Sequence, residues 1–291
     1  MPILDLAITG AMMGAFYALM AVGLSLVFGI FRIVNFSHGE FYLVGAYVYC
    51  LLGLNLALPP WLALVTAVIL GSFVGAGVER WLIRPMFHES RHSGRWREEY
   101  PIIVTFGLSL FLMNLANQLA GPFAFRGPVL WAAPRVTMAG ISLSGHRLVS
   151  FVLAAVFLAT MVWALKYTLW GKRVQAVAQN PVAAAIAGIN PDRIGSTVMA
   201  LSGGLAALAG GLLSPIFLAY PTVGVFPAVK SYIIVVLGGL RSVTVSLVGA
   251  LESFAAAYLS YAHRDTFGFL LLLVFLLWRP YGLWGQRTRE I

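Results

Sequence analysis

The sequence contains little charge and almost no cysteine. Only 10% of its 291 residues are Asp, Glu, Lys or Arg, whereas 60% are hydrophobic. A soluble domain of this length carries about 25% charged residues. The one cysteine, Cys50, lies inside an apolar run and cannot form an internal disulfide, so it is predicted to be a small packing residue. The shortage of charge excludes an ordinary soluble globular protein.

The sequence also lacks the motifs of an enzyme. No Gly-x-x-x-x-Gly-Lys-Ser/Thr loop is present, so the chain is not expected to bind or hydrolyse ATP itself. The five histidines show no metal-ligand spacing on an organised element. His88 and His92 are four residues apart, but their Arg-rich surroundings favour solvated side chains over a zinc site. We therefore expect no catalytic residue, no metal and no cofactor in this chain.

The net charge of +9 is spread over short polar stretches rather than gathered on one face. This pattern sets membrane topology and does not indicate a nucleic-acid-binding protein. The most basic stretches follow the third and fifth apolar segments and form the carboxyl-terminal tail, so we place them in the cytoplasm. With nine crossings, the amino terminus is then external and the 121–148 loop is external.

Long apolar runs dominate the chain, and each helical crossing of a bilayer needs about 20 such residues. We predict an all-α, polytopic membrane helical bundle that forms a single domain over 1–291, with about eight or nine membrane segments. The seventh and ninth segments are short, so one of them is a candidate re-entrant segment. No internal sequence repeat is evident, although inverted structural repeats are often weak in sequence. The predicted segments are 4–31, 41–58, 61–82, 102–120, 149–168, 194–219, 227–240, 244–262 and 266–279.

Polar residues separate the first two apolar runs with almost no loop. Asn35, Ser37, His38 and Glu40 occupy this point. Such groups are costly near hydrocarbon and often mark a substrate path or a broken helix. An interfacial turn, in which Asn35 or Ser37 caps the second segment, explains them equally well. With an external amino terminus, they are expected towards the cytoplasmic end, where a role in an inner gate or helix break is favoured over substrate recognition.

Three further features have both structural and functional interpretations. Glu252 lies within the eighth segment, where a structural hydrogen bond is favoured over a proton relay. Lys230 begins the seventh segment, where extension of its side chain to the interface is favoured. Gly71-x-x-x-Gly75 allows close helix contact, and packing inside one bundle is favoured over a dimer motif.

The segment 170–193 differs from the other connections because it encodes a short helix. Asn180-Pro181 combines a preferred N-cap with a proline at the first helical position. Val182 to Ala187 follow, and Gly188 is a candidate C-cap. A short, well-capped helix at the cytoplasmic face suits the docking of a partner, and an ordinary loop helix is the simpler alternative.

The stretch GLSLVFGIFRIVNFSHGEFYLVGAY (23–47) resembles the signature of the branched-chain amino-acid permease family of ATP-binding cassette importers, H-type more than M-type. Similar matches are Glu79-Arg80 with Arg84-Pro85, Thr105-Phe106-Gly107, GKRVQAVAQNPVAAAIAGI and the tail RPYGLWG. One departure is Arg241, which stands in a turn that is Gly-rich in the family. It gives that turn a different local shape and leaves the exact substrate open.

The resemblance implies a bacterial inner-membrane permease with a cytoplasmic carboxyl terminus, and it implies several partners. These are two cytoplasmic ATPases that bind the ATP, a second related permease subunit in a heterodimer, and a soluble substrate-binding protein. It also makes 171–191 the coupling helix, with candidate residues Gly171, Arg173, Ala176, Asn180, Ala184 and Gly188. Candidate pathway or gate residues are Asn35, Ser37, His38, Glu40, Thr105 and Glu252.

The predicted function is therefore ATP-driven import of branched-chain amino acids or related small polar solutes by alternating access. Urea, amides and small carboxylates remain open as substrates. The alternatives are an ion-coupled secondary transporter that uses Glu40 or Glu252 as proton carrier, and a passive channel for a small neutral solute.

Overall fold

The computed structural model describes residues 2–88, 96–131, 136–138 and 141–237, together with residues 273, 274 and 277. Apart from those three residues, the eighth and ninth predicted segments lie outside the described residues. Glu252 and Arg241 belong to that part of the chain.

The described chain is a helical bundle, as predicted. Five helices precede a small hairpin, and five follow it. A π-helix, Glu79–Ile83, continues the third helix, and strands β1 and β2 pair antiparallel with Val136 opposite Leu143. The elements are α1 (Pro2–Phe31), α2 (His38–Asn55), α3 (Pro60–Val78), α4 (Arg84–His88), α5 (Trp96–Ala120), β1 (Val136–Met138), β2 (Ile141–Leu143), α6 (Gly145–Tyr167), α7 (Leu169–Gln179), α8 (Pro181–Ile186), α9 (Pro191–Phe217) and α10 (Val225–Leu237).

Five of the described helices are long and apolar enough to cross a membrane. They are Met12–Phe31, Pro60–Met86, Glu99–Ala120, Gly145–Tyr167 and Pro191–Phe217. The first seven predicted segments correspond to α1, α2, α3, α5, α6, α9 and α10. The α2 helix begins with His-Gly-Glu, which lowers its mean hydropathy. The described part of α10 has 13 residues and is about 20 Å long, shorter than a bilayer core of about 30 Å.

The α9 helix lies at the centre of the bundle and is the most buried of the five candidate spans. Small residues let its neighbours approach closely. A Cβ atom at Gly75 would meet the carbonyl oxygen of Met199, and one at Gly71 would meet Ala207. On α2, Gly45 packs against the Ala207 backbone in the same way. The Gly71-x-x-x-Gly75 motif therefore packs within this bundle, as the sequence predicted.

The contacts of α9 define two ends of the bundle. Its first turns meet Phe31 at the end of α1 through Gly195, and meet Trp170 through Thr197. We call this the α7–α8 end. At the other end of α9, Ala219 forms an isolated β-bridge with Phe125. We call this the hairpin end, because Phe125 belongs to the connection that leads to the β1–β2 hairpin.

Two connections turn back into the bundle. After α1, Arg32 has a positive φ of 54°, and the chain 32–37 returns from the α7–α8 end. After α9, Leu218 has a φ of 64°, and 218–224 returns from the hairpin end. A left-handed φ is uncommon for residues other than glycine and redirects the chain sharply. Because α1 and α9 run in opposite directions, the helix–return–helix units α1–α2 and α9–α10 are inverted relative to each other.

The returning chain places His38 deeper than the sequence led us to expect. His38 contacts Met20 of α1 and Ser202 of α9. Each lies eleven residues from the α7–α8 end of its helix, which is about 16 Å at 1.5 Å per residue. Half of a bilayer core is about 15 Å. The expectation that His38 and Glu40 lie near the end of the first two segments is wrong, because 32–37 runs back alongside α1.

Candidate functional site

The first turns of α2 and α10 meet in the middle of the bundle. The backbones at Gly39 and Gly224 are in direct contact, and a Cβ atom built at Gly39 would lie 2.5 Å from the carbonyl oxygen of Gly224. From this point α2 runs to the hairpin end. Ala228 also packs on Gly39, and the Tyr232 hydroxyl donates to the carbonyl oxygen of Asn35, so α10 runs to the α7–α8 end. Two interrupted helices that meet near the midplane are typical of substrate sites in transporters.

His38 is fixed by two hydrogen bonds in this buried region. Its side chain is fully buried. The Met20 carbonyl oxygen lies 3.0 Å from Nε2 and can only accept, so Nε2 carries the proton. The Ser202 hydroxyl lies 3.4 Å from Nδ1 and donates to it. The imidazole thus ties the start of α2 to both α1 and α9.

Asn35 shapes the turn that precedes α2. Its Oδ1 accepts from the Ser37 backbone N–H at 3.1 Å and from the Ser37 hydroxyl at 2.7 Å. This is the local side-chain bonding by which Asn stabilises turns. Ser37 occupies the N-cap position, but its side chain makes no capping hydrogen bond. The prediction that Asn35 or Ser37 caps the second segment is therefore wrong in its chemistry, since Asn35 instead stabilises the turn before it.

Two hydroxyl groups of α5 face this turn. The Ser109 hydroxyl donates to Glu40 Oε1 at 2.9 Å. Thr105 Oγ1 accepts from the Phe36 backbone N–H at 3.2 Å and donates to the Pro101 carbonyl at 2.7 Å. Thr105 and Ser109 are one helical turn apart and buried, whereas most of α5 is exposed in this chain. The small buried stripe of α5 is thus partly polar.

Three buried polar atoms have no hydrogen-bond partner within the described residues. They are Asn35 Nδ2, Glu40 Oε2 and the Tyr47 hydroxyl. We call these residues the polar file. Glu40 and Tyr47 are seven residues apart on one face of α2, about 10 Å along its axis. A buried polar group without a hydrogen-bond partner lowers stability by about 1–3 kcal/mol, so three such groups in one region require a reason. A polar solute bound there would supply the missing partners.

The predicted coupling segment consists of two helices at the α7–α8 end. Thr168 Oγ1 accepts from the Gly171 N–H at 3.1 Å and caps α7. Asn180 Oδ1 accepts from the Val182 and Ala183 N–H groups, each at 3.0 Å, and caps α8 as predicted. The prediction for Gly188 is also confirmed, since it has a φ of 82°. The Gly188 and Ile189 N–H groups bond back to the Ala185 and Ala184 carbonyls, which completes a Schellman C-cap.

The other coupling candidates fall into buried and exposed positions. Gly171 packs so tightly that a Cβ atom would collide with the Ala164 and Leu165 carbonyl oxygens. Ala184 is buried, Ala176 is half-buried, and Arg173 is exposed. On α8, Val182 is 68% exposed and Ile186 is 85% exposed. The outer face of α8 is therefore apolar, while its inner face holds it to the bundle.

An ion pair in the π-helix that continues α3 is hydrogen-bonded to α9 beside this segment. The Glu79 carboxylate accepts from Arg84 Nε at 3.1 Å and from Nη2 at 2.8 Å. The Ser196 hydroxyl donates to Glu79 Oε2 at 2.6 Å. Glu79 and Arg84 are five residues apart and would not share a face in an α-helix. The π-helix brings them together, because the Arg84 N–H bonds to the Glu79 carbonyl.

Sequence reasoning missed several residues of the site. Ser109, Ser202, Tyr47 and Tyr232 touch or belong to it, but each lies in an ordinary apolar run. Gly224 also belongs to it and lies in the connection between two predicted segments. For Ser109 a signal was present, because Thr105 and Ser109 have the i, i+4 spacing of one helix face. Lys230 is buried, not extended to an interface as expected. Glu252 lies outside the described residues, so its role stays a prediction.

Comparison with known proteins gives a consistent assignment. The family model described as "Branched-chain amino acid transport system / permease component" matches residues 6–278. The Escherichia coli K12 high-affinity branched-chain amino acid transport system permease protein LivH is 28% identical over 97% of this chain and 95% of its own length. The corresponding BraD protein of Pseudomonas aeruginosa is 27% identical over 97% and 96%.

A more distant relative is the permease protein LivM of Salmonella typhimurium, which is 24% identical over 94% of this chain and 68% of its own length. No solved structure matches the chain. The family model covers nearly the whole sequence, and the described helices form the membrane bundle that a permease requires. This chain belongs to the family of permease components of branched-chain amino acid transport systems.

Proposed function

We propose that this chain is the permease subunit of an ATP-binding cassette importer for branched-chain amino acids or related small polar solutes. The match of the permease family to residues 6–278 carries this proposal. The names of LivH and BraD, relatives along nearly the full length, give the substrate class. The similarity to a LivM protein supports a second, related permease subunit in the same transporter.

The α7–α8 surface is the proposed docking site for the cytoplasmic ATPases. Its outer face carries the exposed apolar residues Val182 and Ile186, and its caps hold α8 in one orientation. Trp170 Nε1 donates to Thr197 Oγ1 at 3.3 Å, which links this surface to the first turns of α9. In this proposal the α7–α8 end is cytoplasmic, the amino terminus is external, and a soluble binding protein delivers solute at the hairpin end.

Alternating access requires the central site to open to one side at a time. We infer that Asn35, Ser37, His38, Glu40 and Thr105 line or gate the path, because they occupy the mid-depth point where two returning segments meet. Ser202 on α9 contacts His38, so a movement of α9 driven from the α7–α8 surface would reach the site through this contact. The permease has two orientations, and each nucleotide state of the ATPases binds one of them more tightly. The ATPase cycle therefore shifts the permease from one orientation to the other.

Uptake into proteoliposomes tests the function directly. The complete transporter, with ATPases, second permease and binding protein, is reconstituted and supplied with labelled leucine. We expect uptake that requires ATP and persists when an uncoupler abolishes ion gradients. Uptake that continues without ATP but stops with the uncoupler would show an ion-coupled transporter, and equilibration without either would show a channel.

The pathway role has its own test in the same assay. His38→Ala removes the contacts to Met20 and Ser202, and Glu40→Gln removes a carboxylate from the site. Each variant is expected to lower uptake while the protein still inserts and binds the ATPases. Normal uptake by both variants at normal expression would refute the assignment of the site, although it would leave the transporter class intact.

A further inference from the structure

Glu40 is the residue of the site whose chemistry points most directly to a ligand. It is 2% exposed, and its Oε1 is occupied by the Ser109 hydroxyl. Its Oε2 accepts no hydrogen bond from the described part of the chain. A carboxylate oxygen left without a donor in a buried site is costly. A group that donates a hydrogen bond to this oxygen during transport would offset part of this unfavourable free energy.

Oε2 lies close to the backbone that leads into α10. A Cβ atom built at Gly224 would lie 3.3 Å from Oε2 and would collide with the Gly39 carbonyl oxygen, so glycine is what lets the two segments pack this closely beside the carboxylate. The Gly39–Gly224 contact is also the junction between two segments that enter from opposite ends of the bundle. A separation of these segments would expose Oε2. The oxygen therefore lies where a solute passing through the junction would meet it.

We propose that Glu40 Oε2 binds the ammonium group of the transported solute. The inference rests on the proposed function and narrows it: the solutes carry a primary amine, as amino acids do, whereas urea, amides and free carboxylates do not. An ammonium supplies three N–H donors and a full positive charge, and charge-assisted hydrogen bonds are about twice as strong as neutral ones. A neutral amide would satisfy the oxygen but would gain less from it.

Binding to the permease without its soluble binding protein separates this site from the delivery of solute. The purified permease–ATPase complex in nanodiscs is titrated with three probes that share the isobutyl group of leucine. They are leucine, 3-methylbutylamine, which has the amine alone, and 4-methyl-2-oxopentanoate, which has the carboxylate alone. We expect the wild type to bind both amines more tightly than the oxo acid, and Glu40→Gln to weaken both amines at least tenfold.

Two controls separate recognition from folding. Glu99→Gln removes an exposed carboxylate near the start of α5 and is expected to leave all three affinities unchanged. Glu40→Gln is expected to retain the ATPase stimulation by loaded binding protein, because the α7–α8 surface is untouched, while its maximal leucine uptake falls at least tenfold. Loss of that stimulation together with uptake would mean that Glu40 serves the fold instead.

Several results would overturn the proposal. These are equal binding of oxo acid and amines by the wild type, unchanged amine binding in Glu40→Gln, or the same weakening of all three probes. If the wild-type transporter imports no amino acid at all with ATP, the proposed function fails instead. Normal leucine import by the wild type and equally fast import by Glu40→Gln would refute only the ammonium site.

Discussion

The contact between Gly39 and Gly224 makes Gly39→Ala an informative perturbation. The added methyl carbon would lie 2.5 Å from the Gly224 carbonyl oxygen and 2.9 Å from the Ala228 Cβ atom. Comfortable contacts between such atoms need about 3.5 Å or more. The first turns of α2 and α10 must therefore separate by about 1 Å to accept one methyl group, and neither obstacle is a flexible side chain that can move aside.

The expected free-energy change combines two opposing terms. Alanine in place of glycine stabilises a helix by about 0.5–1 kcal/mol. Overpacking costs about 1–3 kcal/mol, and the upper part of that range applies because the obstacles are a carbonyl oxygen and a Cβ atom. We expect a net loss of about 1–2 kcal/mol for Gly39→Ala. On α1, a Cβ atom built at Gly29 would meet no atom of another described segment within 4 Å, so Gly29→Ala should gain about 0.5–1 kcal/mol.

Denaturant titration of the detergent-solubilised protein compares the two variants. The predicted difference in unfolding free energy is about 1.5–3 kcal/mol between them, from the two estimates above. Gly39→Ala should also reduce leucine uptake, because a shift of about 1 Å at a binding site can lower activity severely. If Gly39→Ala is as stable as Gly29→Ala and transports at the wild-type rate, the close approach of α2 and α10 is refuted.

Three further tests probe the α7–α8 end. Asn180→Ala removes the α8 cap and should lower the stability of the protein by about 1 kcal/mol and the uptake per ATP hydrolysed. Asn180→Asp keeps a capping oxygen and should retain the wild-type stability and uptake. Equal behaviour of the two variants would contradict the role of the cap. Arg84→Met leaves the Glu79 carboxylate buried without its cation and should lower the free energy of unfolding by roughly 3 kcal/mol, measured by thermal unfolding. A Glu79→Gln, Arg84→Met double variant should be more stable than Arg84→Met alone, and equal stability of the two would argue against the ion pair. Ile186→Glu should leave the unfolding midpoint unchanged, because this side chain is 85% exposed, but should reduce co-purification of the ATPases; full retention would remove Ile186 from the docking surface.

The sequence predicted the positions of the helices along the chain better than the depth of the polar site residues within the bundle. Hydropathy located the described ends of the first seven segments to within six residues, because burial in lipid demands long apolar runs. The capped helix α8 was also predictable, since Asn180, Pro181 and Gly188 act on their immediate neighbours. Local patterns of this kind carry their own structural information. The positions of these elements relative to one another are not encoded locally.

The site shows where that limit lies. Asn35, His38 and Glu40 stood out because they are polar between apolar runs. Their position at mid-depth depends on the returning chain 32–37, which begins at Arg32 with its positive φ. No pattern in the sequence predicts that the chain reverses at this residue. The partners Ser202 and Tyr232 lie 164 and 197 residues away from the groups that they bond. Contacts at such separation follow from packing around α9, which the sequence of either segment alone does not specify.

The π-helix has a consequence for how this chain can change in length. Glu79 and Arg84 face each other because one turn holds an extra residue, and Trp81 in that turn is 75% exposed. Deleting Trp81 would remove a side chain that packs little in this chain and would return the turn to α-geometry. Glu79 and Arg84 would then be four residues apart, a spacing at which two side chains share one face of an α-helix, so the ion pair would be retained. The region therefore tolerates loss of its residue at 81 as well as exchange of it, because either length brings the two charged side chains to the same face.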